Sequence, residues 1–252
     1  MDLSHDDFLG GRLRLAQPRT GYRAGIDPIL LAAATDATGG QSVLELGCGA
    51  GAALLSLGRR VNGLSLTGVE LQPDYHELAR LNAEANAIKA TIILGDLRAL
   101  PADLRQQRFD HVIMNPPYFD RAASSAAEDA GRDIALGGET PLADWIDVAA
   151  RRLAPRGHLT MIQRIERLPE VLAAASNRLG SVVLCPIAAR TGRDPKLFLL
   201  QARKGGRAAF RCTPPMILHR GSVHEKDGDD YSPDVSNALR NGAGLPVFQT
   251  GS

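Results

Sequence analysis

The sequence predicts an α/β fold built on a mostly parallel sheet, and three observations carry that prediction. From residue 42 onward, short apolar runs alternate with longer amphipathic ones, the pattern of strands linked by crossover helices. The run Glu45-Leu46-Gly47-Cys48-Gly49-Ala50-Gly51 puts glycines between a strand and a helix, the context in which such loops approach a nucleotide. Finally, a short strand-like run over 109–114, apolar at Val112, Ile113 and Met114, stops at Pro116 and Pro117. Proline fixes its own φ and restricts the residue before it to extended backbone. Asn115 is therefore held stiffly at the carboxyl end of a buried strand, where ligands bind in open α/β sheets.

The chain has 252 residues, 44% apolar and 23% charged, enough for one full α/β core with appendages or for two small domains. Its 29 basic and 28 acidic side chains leave a net charge of +1, so nucleic-acid binding requires a local patch. Cys48, Cys185 and Cys212 are odd in number and far apart, which fits neither zinc-ligand spacing nor a disulfide framework. The acidic start lacks the apolar core of a signal peptide, and the apolar run 29–34 is far too short to span a bilayer. The expectation is a reduced, soluble, cytoplasmic protein with no membrane or metal partner.

Taken in order, residues 11–25 carry Arg12, Arg14, Arg19 and Arg23 and no acid. Leu13 and Leu15 alternate with them, predicting an edge strand or hairpin before a turn at 17–21. These arginines form either a solvated face or a set of phosphate contacts. A helix follows over 29–34, with Asp27 as N-cap and Pro28 at its first position. Strands are expected at 43–46, 66–70, 91–94 and 109–114, with helices from the glycine loop to 60 and over 73–86. Residues 119–139, including Asp120, are small and polar without periodicity, the mark of a functional lid or a disordered loop. Leu142, Trp145, Ile146, Ala149 and Leu153 share one helical face, which makes Trp145 a core residue. A turn at 155–157 leads to a strand over 158–162, then a helix over 168–179 and an antiparallel pair over 181–187 and 195–202. Eight basic residues lie between 190 and 220 against one acid, Asp194, and the tail from 221 has weak pattern.

At the turn, the Asn115 carboxamide oxygen and the Pro116 carbonyl are two acceptors, and the Tyr118 ring is a flat surface nearby. That set suits a planar –NH2 group, although a proline-rich turn closing a core strand reads the same way on its own. The glycine spacing is Gly-x-Gly-x-Gly, not the Gly-x-Gly-x-x-Gly of a dinucleotide site. Glu70, 19 residues past Gly51, stands where an acid accepts both ribose hydroxyls, and Asp96 where one accepts from an adenine amine. Four consecutive strand ends thus carry what an adenosyl ligand needs. Cys48 has no histidine nearby in sequence to activate it and reads as a small filler, and His111 as a packing or solvated residue.

Residues 43–51, Glu70, Gly95-Asp96 and 115–118 together resemble the class I S-adenosylmethionine methyltransferases that act on amino groups. Residues 17–31, then 202–206 and Leu218-His219, resemble the bacterial tRNA(Val) adenine N6-methyltransferase family, which modifies the adenosine 3′ of the anticodon. The likeness spans roughly residues 8–245. It implies a Rossmann-like, seven-stranded, mostly parallel sheet with one antiparallel strand and helices on both faces. S-adenosylmethionine is the implied cofactor, held by Tyr22, Arg23, Ala24, Glu45, Gly47, Gly49, Gly51, Glu70, Leu71, Asp96, Leu97 and Asn115. Within that set Tyr22 to Ala24 close over the methionine end, Glu70 holds the ribose, and Asp96 and Leu97 flank the adenine. The implied catalytic group is Asn115, Pro116, Pro117 and Tyr118. The implied partner is tRNA, contacted by Arg12, Arg14, Arg19, Arg190, Arg193, Lys196, Arg203 and Lys204. The chain then divides into a basic N-terminal segment and helix (1–40), a methyltransferase domain (41–205) and a partly irregular extension (206–252). A glutamine N5-methyltransferase of release factors is the competing reading, since an amide also offers a conjugated –NH2. Such enzymes carry an extra helical domain before the glycine loop, and only 46 residues precede Gly47 here. A DNA adenine methyltransferase would need a base-reading domain that no segment has room for. A non-catalytic RNA-binding module is a further alternative, and the glycine spacing disfavours an NAD-linked dehydrogenase.

Overall fold

The computed structural model describes residues 2–118, 140–221 and 230–249. The expected loop at 119–139, with Asp120, lies outside them.

The chain opens with a hairpin of β1 (Leu3–Phe8) and β2 (Leu13–Pro18), paired antiparallel from Leu3 opposite Pro18 to Phe8 opposite Leu13. The alternation that suggested β2 is real: Leu13 and Leu15 are fully buried, whereas Arg14 points to solvent. Helix α1 (Asp27–Ala34) follows, with Ile26 rather than Asp27 at its cap. Asp27 sits one position inside, with its carboxylate committed elsewhere. This helix is apolar all round because it is buried on most sides, between the sheet, the hairpin and a C-terminal helix.

The main sheet takes β3 (Ser42–Leu46), β4 (Ser65–Glu70), β5 (Ala90–Leu94), β6 (Phe109–Met114), β7 (Leu153–Arg164), β8 (Gly180–Ala188) and β9 (Leu197–Arg203). Their spatial order is β5-β4-β3-β6-β7-β9-β8, and β9 runs antiparallel to both its neighbours. This is the expected seven-stranded arrangement. Two additional two-residue strands, β10 (Arg211–Cys212) and β11 (Met216–Ile217), pair with β8 and bring the sheet to nine.

Side chains alternate across the pleat of β6 and separate two cores. Val112 and Met114 meet Trp145, Ile146 and Ala149 of α5 (Leu142–Arg152) and Val171 of α6 (Leu168–Ala175). Ile113 faces the other way, into a core with Leu30 and Leu31 of α1, Leu54 of α2 (Ala52–Arg60) and Val235 of α7 (Pro233–Asn241). Each such side chain contributes roughly 1.5–3 kcal/mol on full burial. Helix α3 (Pro73–Ala85) packs beside β5, and a short α4 (Ala102–Gln106) leads into β6.

Three departures from expectation stand out. Strand β7 is longer than 158–162, and the expected turn at 155–157 survives inside it as a bulge. Its register against β6 jumps from Leu153 opposite Phe109 to His158 opposite His111, and Arg156 has φ +68°. Helix α6 ends at Ala175, short of 179. Helix α7 went unpredicted because only Val235 and Ala238 are buried on it, although Pro233 near its start and Gly242 after its end are ordinary helix signals. Among the described residues no helix is long and apolar enough to cross a membrane.

The parallel pairing puts the carboxyl ends of β3, β4, β5, β6 and β7 on one rim: Leu46 is level with Met114, Glu70 with Leu94, and Met114 with Met161. Strand β9 begins near that rim, with Leu197 opposite Arg164, and ends at the other, with Arg203 opposite His158.

Candidate active site

A cavity of about 450 Å3 opens on this rim, within the usual range for small-molecule sites. Its walls come from the β2–α1 segment, the loop after β3, and the ends of β4, β5 and β6. Eleven of the twelve residues expected to hold the cofactor line it, as do Pro116, Pro117 and Tyr118; the twelfth, Gly51, caps the start of α2 instead of lining the cavity.

Gly47, Gly49 and Gly51 all adopt positive φ, and the first is also confined by packing. A β-carbon on Gly47 would come within 2.5 Å of the Trp145 ring. Trp145, buried as its helical face predicts, therefore also forms the floor under the loop. Cys48 is buried with its sulfur against Gly68, and burial pushes the thiol well above its usual range, as befits a filler.

The carboxylates around the loop hold backbone. Glu70 Oε2 accepts from the Gly49 N–H at 2.8 Å and Oε1 from that of Gln72 at 2.9 Å. Burial raises the Glu70 pKa, and these bonds oppose the shift. Glu45 Oε2 accepts from Leu54 N–H at 2.8 Å, pinning the first turn of α2, and burial pushes this acid well above the ordinary carboxylate range. Each carboxylate has about four lone-pair sites, so capacity toward a ligand remains. Asp96 accepts from the Arg98 N–H at 2.8 Å and pairs with its guanidinium at 2.9 Å, which holds its pKa down. Arg98 carried no signal in the sequence.

Residues 22–24 are tied down by partners that were equally silent. Tyr75 Oη donates to the Tyr22 carbonyl at 2.9 Å, and Gln17 Oε1 accepts from Ala24 N–H at 2.7 Å. Asp6 accepts from both Gln17 Nε2 and Arg23 Nη2 at 2.7 Å. The hairpin itself is clipped to α3: Asn82 exchanges two hydrogen bonds with Ala16, at 2.8 and 3.0 Å, and donates a third to Ala50 of the glycine loop at 2.9 Å.

At the other end of the cavity stands the proline-locked turn. Asn115 Nδ2 donates to Tyr22 Oη at 3.5 Å. Asn115 Oδ1 is buried and has no hydrogen-bond partner among the described residues. An unmet buried acceptor costs about 1–3 kcal/mol, and this one lines the cavity, where a ligand donor can reach it. Tyr118 Oη donates to Asp27 Oδ2 at 2.5 Å, and the Arg164 guanidinium lies 5.7 Å from the Tyr118 ring centroid. Burial, with Asp27 alongside, pushes both the Tyr118 and Tyr22 phenols above their usual range. Gln163, buried on β7, donates to the Pro116 carbonyl at 3.2 Å.

Residues 43–136 match the family model described as a methyltransferase domain. A tRNA1(Val) (adenine(37)-N6)-methyltransferase from Porphyromonas gingivalis is 32% identical over 241 residues, covering 91% of each chain. The chain belongs to this methyltransferase family. The enzyme of the same name from Tolumonas auensis is 30% identical, covering 77% of this chain and 81% of its own. A solved structure described as a predicted O-methyltransferase from Agrobacterium tumefaciens is 26% identical with a TM-score of 0.70, covering 87% of this chain and 98% of that one. The T. thermophilus 16S rRNA N2 G1207 methyltransferase, solved with AdoMet and guanosine, shares the fold at a TM-score of 0.56 and 24% identity; the match covers 81% of this chain and 50% of that one. The sheet is that of class I S-adenosylmethionine-dependent methyltransferases.

For this family member the structure separates the eight candidate basic residues. Arg14 and Arg19 face Asp7 of β1 and Asp2 just before it, at 4.0 and 3.4 Å, acids lying outside the basic stretch. Arg12 donates to the Asn241 carbonyl at 2.5 Å. Arg190 pairs with Asp230 and with the Arg220 carbonyl. Arg203 and Lys204 lie on the rim opposite the cavity, where Lys204 Nζ donates to the Leu153 carbonyl at 2.8 Å and burial lowers its pKa. Arg193 and Lys196, exposed on the β8–β9 loop, share the rim of the cavity. No cluster of metal-ligating side chains occurs among the described residues.

Proposed function

We propose that this protein methylates the exocyclic N6 of an adenosine in tRNA, next to the anticodon of tRNA(Val), using S-adenosylmethionine. The observation that carries this reading is the buried, unpartnered Asn115 Oδ1 beside the Pro116 carbonyl. A planar amine brings two N–H donors, one for each acceptor, whereas a hydroxyl brings one.

The cavity's size, its positive-φ glycines and its carboxylates fit the methyl donor. Glu70 would hold the ribose, Asp96 with Leu71 and Leu97 the adenine, and Tyr22, Arg23, Ala24 and Glu45 the amino-acid end. When bound, it supplies an electrophilic methyl on a sulfonium. The chain's own contribution is to the nucleophile. The adenine nitrogen is a poor one because its lone pair is delocalised into the ring. Accepting both N–H bonds favours a pyramidal nitrogen and localises that pair. These bonds strengthen as positive charge develops on nitrogen, so they lower the barrier rather than merely binding the substrate. Tyr118, fixed by Asp27, offers the ring face away from Arg164 to the base, and such stacking contributes about 1–3 kcal/mol. A loop adenosine reaches the pocket at the least unstacking cost. Arg193 and Lys196 are the expected backbone contacts nearest the pocket, and a cytoplasmic location follows from the substrate.

Incubation with total tRNA and labelled cofactor, followed by nucleoside mass analysis, tests the reading. N6-methyladenosine supports it. Label in protein would carry the glutamine alternative instead, and no transfer at all would leave a binding module.

A further inference from the structure

The turn 115–117 cannot hold its own shape through backbone hydrogen bonds. Pro116 and Pro117 have no N–H, and their carbonyls must find donors in side chains, water or ligand. Gln163, fully buried on β7 and remote from the turn in sequence, supplies that donor: its Nε2 lies 3.2 Å from the Pro116 carbonyl oxygen and 3.4 Å from that of Pro117. Its Oε1 accepts from the Arg164 N–H at 2.8 Å. With that N–H on one side of the amide and two carbonyls on the other, only one amide orientation satisfies all three groups.

We propose that Gln163 is the positioning residue for the second amine acceptor. It occupies one lone pair of the Pro116 carbonyl and fixes the peptide plane, so that the other lone pair is left for the substrate N–H. The substrate amine is then gripped by an acceptor on a stiff turn, Asn115 Oδ1, and by a carbonyl clamped from β7. Gln163 touches neither the substrate nor the cofactor, so its loss acts on the rate through Pro116. Because the site binds the cofactor through other residues, cofactor affinity is spared. This inference rests on the amine-methylating reading above.

Two variants test it, with wild-type tRNA methylation run in parallel. Gln163→Met keeps an unbranched chain and removes the donor. Its single-turnover rate at saturating cofactor should fall about 100-fold, the scale of a small displacement at a reacting centre, with S-adenosylmethionine affinity changed by less than about threefold. Gln163→Glu replaces the amide by an acid facing two carbonyls, which donates only while protonated and whose burial raises its pKa. That variant should be active at low pH and lose activity as pH rises, an alkaline limb that wild type lacks and a purely structural defect would not create. If Gln163→Met fails to fold, the pH profile of Gln163→Glu still decides. A Gln163→Glu profile parallel to wild type, or a Gln163→Met rate within about threefold of wild type, overturns the positioning role. If wild type itself makes no N6-methyladenosine in tRNA, it is the underlying reading that fails.

Discussion

The two ends of the cavity differ in what their acceptors already hold. On the cofactor side, Glu70 accepts two backbone N–H bonds and Glu45 one, so the glycine loop and the start of α2 are fastened before any ligand arrives. On the amine side, Asn115 Oδ1 is buried with no partner among the described residues, on a turn whose two prolines donate nothing. One end is structurally complete. Under the proposed function the other is completed by a ligand that brings N–H donors, so lesions at the two ends should show up in different measurements.

The largest effect is expected at the incomplete end. Asn115→Ala should lower the single-turnover rate about 1000-fold, as removal of a transition-state hydrogen-bond partner does, with little change in calorimetric affinity for S-adenosylmethionine. Equal loss of rate and affinity would break the contrast. Glu70→Ala should do the reverse. Losing hydrogen bonds to a charged group costs about 1.5–3 kcal/mol, so cofactor affinity should weaken roughly 10- to 100-fold, while the single-turnover rate at saturation moves less. A rate defect that saturation cannot relieve would place Glu70 in the chemistry.

The smallest effect sharpens the contrast by leaving the cavity altogether. His111, near the opposite rim, stacks on His158 at 5.9 Å, and burial lowers its pKa to about 4. The unfolded chain takes up this proton below about pH 6.5 and the folded one does not until about pH 4, so stability is full above 6.5 and falls as pH drops toward 4. Asp110, Asp36, Arg60 and His158 are the charged or titratable groups acting on it, and His158 is shifted the same way. Urea unfolding at pH 7 and pH 5 should show a loss of about 1–2 kcal/mol in wild type that His111→Asn reduces. An unchanged pH slope in the variant would remove His111 from this role.

Much of this was legible in the sequence because it is local. Two consecutive prolines fix Asn115, glycines between a strand and a helix mark the loop, and the alternation of elements marks a mostly parallel sheet. The silent parts are pairings between distant residues: Asp27 meets Tyr118 across 91 positions, and Gln163 meets Pro116 across 47. Nothing in the local pattern of Gln163 distinguishes it from a polar residue at a strand end. The same limit explains the arginines at 12–23, which look unopposed along the chain because the acids that face several of them come from residues 2–7. Helix α7 was missed because so little of its surface is apolar.

The most direct test is a crystal structure with S-adenosylhomocysteine and adenosine bound together. The account predicts the adenine N6 within hydrogen-bond reach of both Asn115 Oδ1 and the Pro116 carbonyl, with the base stacked on Tyr118. An amine directed at another wall of the cavity, with only water on Asn115 Oδ1, would contradict it.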